Sequence, residues 1–137
     1  MIELRAENLV KKYKGKSVVN QVSVSLKQGE IVGLLGPNGA GKTTSFYMIV
    51  GLIKPNDGHI FLDDKDITGL AMYRRAKLGI GYLAQEASVF RNLSVEDNIM
   101  AVLEMTHLSK ADQKEKLELL LSEFSLNQVR KNHGMVL

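Results

Sequence analysis

Apolar and polar residues alternate along the first two segments of the chain. The alternation runs through residues 2–10 and again through residues 18–26, with a turn at residues 13–16 between them. A period of two places every second side chain on one face, so both segments are predicted to be half-buried strands. Because a turn this short connects antiparallel neighbours, we expect residues 1–30 to form an antiparallel β subdomain.

The pattern changes at residues 31–35, which are Ile-Val-Gly-Leu-Leu and contain no polar side chain. A continuous apolar run predicts a strand buried on both faces of a parallel sheet, and residues 80–83 predict a second one. Between them, a helix is expected over residues 42–50, closed by Gly51. Residues 59–62 predict a short strand and residues 72–78 a basic helix. Buried strands that alternate with helices indicate an α/β fold.

Two later segments begin with a capping signal. Ser94 stands three residues before Asp97, and Ser109 stands three residues before Asp112. In this arrangement the serine oxygen accepts a hydrogen bond from an early N–H group of a helix. The second half of the chain is therefore expected to be a helical segment.

The residues between the predicted strand 31–35 and its helix carry the candidate chemistry. Residues 36–43 match the phosphate-loop pattern G-x-x-x-x-G-K-[ST] in the strand–loop–helix context that its mechanism requires. Glycines let successive N–H groups turn inward around an anion, and the helix start adds its positive dipole end. Lys42 is expected to reach the β and γ phosphates of ATP, and the Thr43 hydroxyl to bind Mg²⁺. The residues predicted to bind nucleotide here are Gly36, Pro37, Asn38, Gly39, Ala40, Gly41, Lys42, Thr43 and Thr44.

Composition and charge exclude only a few kinds of site. The chain has 137 residues, no cysteine and a formal net charge of +3, so disulfides and thiolate metal sites are excluded. A basic run at residues 11–16 is either a solvated strand end and turn or a contact for an anionic partner. The longest nearly apolar stretch, residues 46–53, is far shorter than the ~20 residues that span a bilayer. We therefore expect a soluble protein, or one at most peripheral to a membrane.

Three features together resemble the ATP-binding subunits of ABC transporters. The first is the loop sequence Gly-Pro-Asn-Gly-Ala-Gly-Lys-Thr-Thr at residues 36–44. The second is Tyr13, which stands where the family stacks an aromatic ring on adenine, although a turn tyrosine resting on aliphatic neighbours is the alternative. The third is residues 81–86, which are similar to the family's Q-loop. There Gln85 would approach Mg²⁺ and the attacking water; the alternative is a surface glutamine.

The resemblance extends over essentially the whole chain, and within the family it is greatest to the ATPase subunits of lipopolysaccharide exporters, followed by branched-chain amino-acid importers. It implies a parent ATPase that binds MgATP, forms a homodimer and energises transmembrane subunits from the cytoplasmic face of the inner membrane. No nucleic-acid partner is predicted. Phe90, with Arg91 beside it, is the candidate contact to a membrane subunit; a buried phenylalanine that anchors the loop is the alternative.

The family's later motifs are expected beyond Leu137, because no Leu-Ser-Gly-Gly signature occurs in the chain. We interpret the chain as a P-loop NTPase core truncated before the signature. Its predicted parts are an antiparallel β subdomain (1–30), the P-loop core to the Q-loop (31–86) and a partial helical subdomain (87–137). Lys42 would stabilise charge in the transition state, but the catalytic set is incomplete. The isolated chain is therefore expected to bind nucleotide weakly and to hydrolyse almost none.

Other interpretations remain open. Asp63 and Asp64 follow a short apolar run. On one alternative interpretation, Asp63 binds Mg²⁺ and Asp64 is a catalytic acid. The chain could also be a nucleotide-binding module without catalysis, acting as a sensor or regulator. The unpartnered apolar strand 31–35 is expected to favour self-association in either case.

Overall fold

The computed structural model describes residues 2–86 and 88–136, which divide into two compact units at residues 83 and 84. The first unit is built on a four-stranded antiparallel sheet. Strands β1 (Glu3–Tyr13) and β2 (Lys16–Lys27) form a hairpin, as the alternation predicted. Strand β3 (Asp57–Leu62) pairs with the other edge of β1, and the short β4 (Lys65–Asp66) pairs with β3. The order across the sheet is therefore β2-β1-β3-β4.

The core of the first unit lies between this sheet and helix α1 (Lys42–Val50). Met48 of α1 and Ile60 of β3 are both fully buried, and each contributes about 1.5–3 kcal/mol through the apolar surface it removes from water. Gly51 ends α1 in the left-handed conformation, with φ of 90°, as predicted. A second, shorter helix, α2 (Met72–Lys77), follows the sheet.

The second unit contains two longer helices, α3 (Val95–Leu103) and α4 (Lys110–Glu123), and a 3-10 turn over Gly134–Val136. The two predicted capping signals are confirmed. The Ser94 hydroxyl accepts from the N–H of Asp97 at 3.1 Å, and Ser109 accepts from Asp112 at 3.2 Å. The small core of this unit consists of Val95, Leu103, Leu117 and Leu121.

An ion-pair cluster joins the helices of the second unit to the segment that follows them. Arg130 Nε lies 2.8 Å from Glu96 Oε2 on α3, and its Nη2 lies 2.8 Å from Glu118 Oε1 on α4. Lys131 also contacts the Glu96 carboxylate. One guanidinium therefore ties three segments of the chain together.

The prediction of two buried strands is wrong for the described residues. Residues 31–35 and 80–83 form no strand, and Ile31, Leu35 and Leu83 are 101%, 93% and 96% exposed. A strand buried on both faces needs hydrogen-bonded neighbours and covering layers. Within residues 2–86 and 88–136 the sheet consists of β1 to β4 only, so neither segment has those neighbours. The predicted division at residues 30 and 86 stays a prediction.

The helices give no sign of a membrane-spanning segment. In the described residues, no helix combines the length and the apolar character needed to cross a bilayer.

Candidate functional site at the start of helix α1

The phosphate-loop pattern folds as an irregular loop that runs directly into α1. Gly39 and Gly41 adopt φ of 82° and 81°, in the left-handed region that side chains disfavour. At Gly41 there is also no room for a side chain, because a Cβ atom would come within 2.4 Å of the Val18 carbonyl oxygen on β2. The loop is thus held against the sheet at its second half, where glycine is required for two separate reasons.

The Lys42 side chain folds back over the loop. Its Nζ donates to the carbonyl oxygens of Gly36 and Pro37, the second at 2.7 Å. The ammonium group is therefore placed among the loop atoms rather than extended into solvent. An ammonium in this position can exchange carbonyl oxygens for phosphate oxygens, which form stronger, charge-assisted hydrogen bonds.

The first turn of α1 is fixed from within. Ser45 is buried and its hydroxyl donates to the carbonyl oxygen of Gly41 at 2.9 Å, while the main-chain N–H of Ser45 donates to the same oxygen. Thr43 is exposed in that turn, so its hydroxyl is accessible. Residues 42–45 are Lys-Thr-Thr-Ser, and no carboxylate there opposes an anion at the positive end of the helix dipole.

This set of groups fits a polyphosphate with a hard divalent cation. Gly39 leaves open space at the tip of the loop, Lys42 supplies positive charge and Thr43 supplies a hydroxyl oxygen of the kind that Mg²⁺ binds. In the described part of the chain, no group of three or more His, Asp or Glu residues could hold a metal alone. A metal here would therefore depend on phosphate oxygens and water for most of its ligands, as Mg²⁺ in nucleotide sites does.

The opposite end of α1 carries a contact that the sequence did not indicate. Arg75 of α2 is 1% exposed, and its guanidinium donates to four main-chain carbonyl oxygens. Nη1 bonds Met48 and Ile49 at 2.8 and 2.6 Å, and Nε and Nη2 bond Leu70 and Thr68 at 2.9 Å each. Burial lowers the pKa of Arg75, but arginine remains charged in proteins. Its charge lies at the negative end of the α1 dipole and caps it.

Tyr13 lies at the end of β1 and is 46% exposed. The Nζ atom of Lys11 is 5.3 Å from the centre of its ring, within the range of a cation–π contact. The ring therefore has a partly open surface for stacking, and its contact with adenine stays a prediction. Gln85 lies in an exposed bend of the second unit, and its role near the metal also stays a prediction.

Phe90 is 64% exposed, so the alternative of a buried anchor is wrong. It borders a mainly apolar groove of about 360 Å³ beside α3. The groove is lined by Ser88, Val89, Phe90, Asn98, Ile99, Val102, Leu103 and Leu120. Arg91, also exposed, accepts a hydrogen bond from the N–H of Met135 with its carbonyl oxygen, at 3.1 Å. An exposed aromatic ring beside an apolar groove is what a protein contact uses, but that role stays a prediction.

Asn98 shapes the segment that carries Phe90, and sequence reasoning missed it. Its Oδ1 accepts from the N–H of Phe90 at 2.7 Å, and its Nδ2 donates to the Phe90 carbonyl oxygen at 3.0 Å. The same nitrogen reaches the carbonyl oxygens of Leu93 and Ser94 at 3.3 and 2.9 Å. One carboxamide therefore fixes the whole turn that holds the aromatic side chain outward.

The pair Asp63 and Asp64 lies in the turn between β3 and β4. Asp63 has φ of 52°, and its Oδ1 accepts a hydrogen bond from the N–H of Glu3 at 2.7 Å. The carboxylate thus closes the turn onto β1. This structural role accounts for Asp63 without a metal or catalytic function.

Comparison with known proteins gives one consistent result. Residues 19–135 match the family model described as ABC transporter. A probable ABC transporter ATP-binding protein of Azorhizobium caulinodans is 58% identical over 98% of this chain and 48% of that protein. The lipopolysaccharide export system ATP-binding protein of Haemophilus influenzae is 53% identical over 98% and 56%, and that of Escherichia coli is 52% identical over 100% and 57%. The chain thus spans about half the length of the curated relatives it matches.

Solved structures agree with the fold. An ATP-binding cassette of an ABC transporter in its ADP conformation superposes with a TM-score of 0.80 at 25% identity, over 100% of this chain and 59% of that one. A dimeric bacterial ABC transporter cassette gives a TM-score of 0.82 at 23% identity, over 98% and 62%, and shows the likeness of fold alone.

Proposed function

The chain belongs to the ABC transporter family, and from that premise we propose that residues 36–44 bind MgATP as part of an ATPase subunit that energises transport. The single observation that carries this proposal is the placement of Lys42. Its ammonium lies on the loop carbonyls of Gly36 and Pro37, directly ahead of a helix whose first turn holds no carboxylate. Positive charge, free N–H groups and an open glycine cradle converge at one point.

Each residue of the site has a defined task in this proposal. The loop N–H groups and the α1 dipole bind the phosphates, and Lys42 neutralises charge on the β and γ positions. Thr43 would supply one oxygen to Mg²⁺, and the bound metal would neutralise negative charge on the phosphates. Tyr13 stacks on adenine and Gln85 approaches the metal and the attacking water, as the family resemblance implies.

Hydrolysis is proposed for the full-length protein rather than for these 137 residues. Phosphoryl transfer to water needs a positioned water and charge stabilisation across the γ-phosphate. Lys42 and the loop supply part of the second requirement. The family's signature and catalytic glutamate do not occur in the sequence, so we expect the chain alone to bind nucleotide with almost no turnover. The exposed Ile31, Leu35 and Leu83 are sites where further strands of the full domain would pair.

The transported substrate is proposed to be lipopolysaccharide, exported with transmembrane subunits at the cytoplasmic face of the inner membrane. Support comes from the relatives at 52–55% identity whose names state that export system. The apolar groove beside Phe90 would receive a segment of the membrane subunit, with Arg91 at its rim. A homodimer of the full-length subunit would provide the second half of each nucleotide site.

Titration calorimetry with the purified chain tests nucleotide binding directly. MgATP should give a saturable signal, and inorganic triphosphate with Mg²⁺ should give a weaker one. AMP should give no signal, because its single phosphate cannot contact the whole loop. Equal binding of AMP and ATP, or no binding of ATP at millimolar concentration, would show that residues 36–44 are not a polyphosphate site. A full-length protein that binds MgATP but supports no lipopolysaccharide export would restrict the proposal to nucleotide binding.

A further inference from the structure

Asn38 and Gly39 form the only Asn-Gly pair in the sequence, and they lie at the tip of the phosphate loop. Both residues are exposed and belong to a turn. A Cβ atom built on Gly39 would meet nothing within 4 Å, so the space around its main chain is open. Other asparagines use their carboxamides in hydrogen bonds: Asn8 and Asn56 accept, and Asn98 both donates and accepts.

We propose that Asn38 is a site of spontaneous deamidation, which converts the phosphate loop into a form with lower affinity for nucleotides. The main-chain nitrogen of Gly39 loses its proton and attacks the Asn38 Cγ atom. A Cγ–N bond forms, the bond to Nδ2 breaks, and that nitrogen leaves with protons as ammonia. Water then opens the cyclic imide at either carbonyl and leaves aspartate or isoaspartate. Solvent supplies everything the reaction needs.

Glycine at 39 makes the attack possible for a physical reason. It has no Cβ atom to shield its nitrogen, and it reaches backbone angles that other residues disfavour. The open surroundings leave the loop room to rearrange toward the five-membered ring. The glycine after Asn38 and the exposure of both residues therefore each favour ring formation.

The chain contains an internal reference for this chemistry. Asp57 and Gly58 could form the same imide with loss of water, but both lie in β3, and Asp57 pairs with Val10. A Cβ atom at Gly58 would lie within 2.5 Å of the Asn8 carbonyl oxygen, so the backbone is closely packed there. The strand should therefore hold Asp57 unchanged while Asn38 reacts.

The consequence for binding rests on the proposed function, whereas the modification itself does not. Aspartate at 38 adds one negative charge at a loop that must attract a polyphosphate. Isoaspartate also inserts an extra carbon into the main chain, which disturbs the spacing of the N–H groups. Either product opposes the charge that Lys42 contributes.

Peptide mapping by mass spectrometry after incubation in heavy-oxygen water at mildly alkaline pH tests the proposal. We expect conversion at Asn38 to be at least about tenfold faster than at Asn92 or Asn127, which are exposed but not followed by glycine. Asp57 should acquire almost no label. Similar rates at all three asparagines, or an intact Asn38, would overturn the proposal.

Variants separate this inference from the proposed function. Asn38→Asp mimics one product and should bind MgATP about tenfold more weakly, since one added charge near a polyphosphate costs that much in a partly solvated loop. The matched Asn38→Gln keeps a carboxamide but forms the cyclic imide poorly, so residue 38 should stay unmodified in this variant during the same incubation. Saturating MgATP should slow conversion of the native chain. Deamidation without any ATP binding would sink the proposed function alone; ATP binding with a stable Asn38 would sink only this inference.

Discussion

Arg75 donates from Nη1 to the carbonyl oxygen of Met48 at 2.8 Å, so a buried charge on one helix caps the end of the helix that begins at the phosphate loop. Gly51 follows that helix closely enough that a Cβ atom there would come within 2.9 Å of Arg75 Nε. The end of α1 is therefore held by a glycine and a guanidinium packed against each other. Fixing the end of α1 in this way also fixes the position of its start, where the loop N–H groups lie.

Replacing this guanidinium should destabilise the first unit strongly. In Arg75→Met, four carbonyl oxygens would each lose a charged hydrogen-bond donor, and the expected loss is about 3 kcal/mol or more in urea unfolding. Arg75→Lys should recover only part of it, because one ammonium cannot span the same oxygens. The control is Arg74→Met on the exposed side of α2, with an expected change within about 0.5 kcal/mol. Equal losses for Arg74 and Arg75 would contradict the capping role.

Lys42→Ala should weaken MgATP binding about ten- to a hundredfold in calorimetry, because charge-assisted hydrogen bonds to phosphate are lost. The far-UV circular dichroism should not change, since the Lys42 side chain bonds only loop carbonyls. Lys77→Ala removes the same charge from the exposed face of α2 and should leave the affinity intact. Unaltered affinity in Lys42→Ala would remove this residue from the site.

Tyr13→Ala should weaken ATP binding but leave the binding of inorganic triphosphate unchanged. A base that stacks on an aromatic ring gains about 1–3 kcal/mol, and triphosphate has no base. Tyr13→Phe keeps the ring and should behave like the native chain. Parallel losses for ATP and triphosphate would place Tyr13 outside the adenine site.

The ion-pair cluster of the second unit should make its stability depend on acid. Hydrogen bonds from Lys131 and Arg130 hold the pKa of Glu96 below its ordinary value of 4.5, and Arg130 likewise lowers that of Glu118. A carboxylate with a lowered folded-state pKa stabilises the fold above its unfolded-state pKa, and this contribution is lost as the pH falls through the folded-state value. The protection factors of amides in α3 and α4, which correct for the intrinsic pH dependence of exchange, should therefore fall below pH 4.5.

Glu96→Gln should weaken this dependence of stability on acid, because the amide cannot titrate. Glu104→Gln, an exposed substitution at the end of α3, is the matched control and should keep it. The interpretation fails if both variants show the same acid dependence as the native chain.

Self-association should follow from the exposed apolar residues ahead of the phosphate loop. Light scattering of the native chain should rise with concentration, and the double substitution Ile31→Thr with Leu35→Gln should reduce that rise. Leu119→Gln on α4 removes a leucine that is 53% exposed and should have little effect. A single monomeric species of the native chain at every concentration would refute the expectation.

Local physics decided what could be predicted from the sequence. The hairpin of β1 and β2, the start of α1 at Lys42 and the serine caps of α3 and α4 each depend on a few neighbouring residues, and all were predicted correctly. Residues 31–35 and 80–83 were predicted as strands because their composition suits a buried sheet. A strand also needs neighbours, and the described residues leave these two segments without them.

The residues that sequence reasoning missed act over long separations. Arg75 was predicted only as part of a basic helix over residues 72–78, since nothing in the neighbouring sequence marks it as the residue that reaches Met48. Asn98 lies within α3, and nothing in the neighbouring sequence marks its carboxamide as a group that bonds the preceding turn. Its bonds to Phe90 depend on the path of the preceding turn, and no residue pattern specifies that path.

In the proposed function, nucleotide binding would exchange one set of Lys42 hydrogen bonds for another. The ammonium already donates to two carbonyl oxygens and would give up those bonds on donating to phosphate, so the net binding enthalpy would be the difference between two sets of contacts. In return, the side chain has little orientational freedom left to lose when the anion arrives. If the proposed function holds, a cation held in this way keeps the affinity for nucleotide moderate, which allows the nucleotide to dissociate.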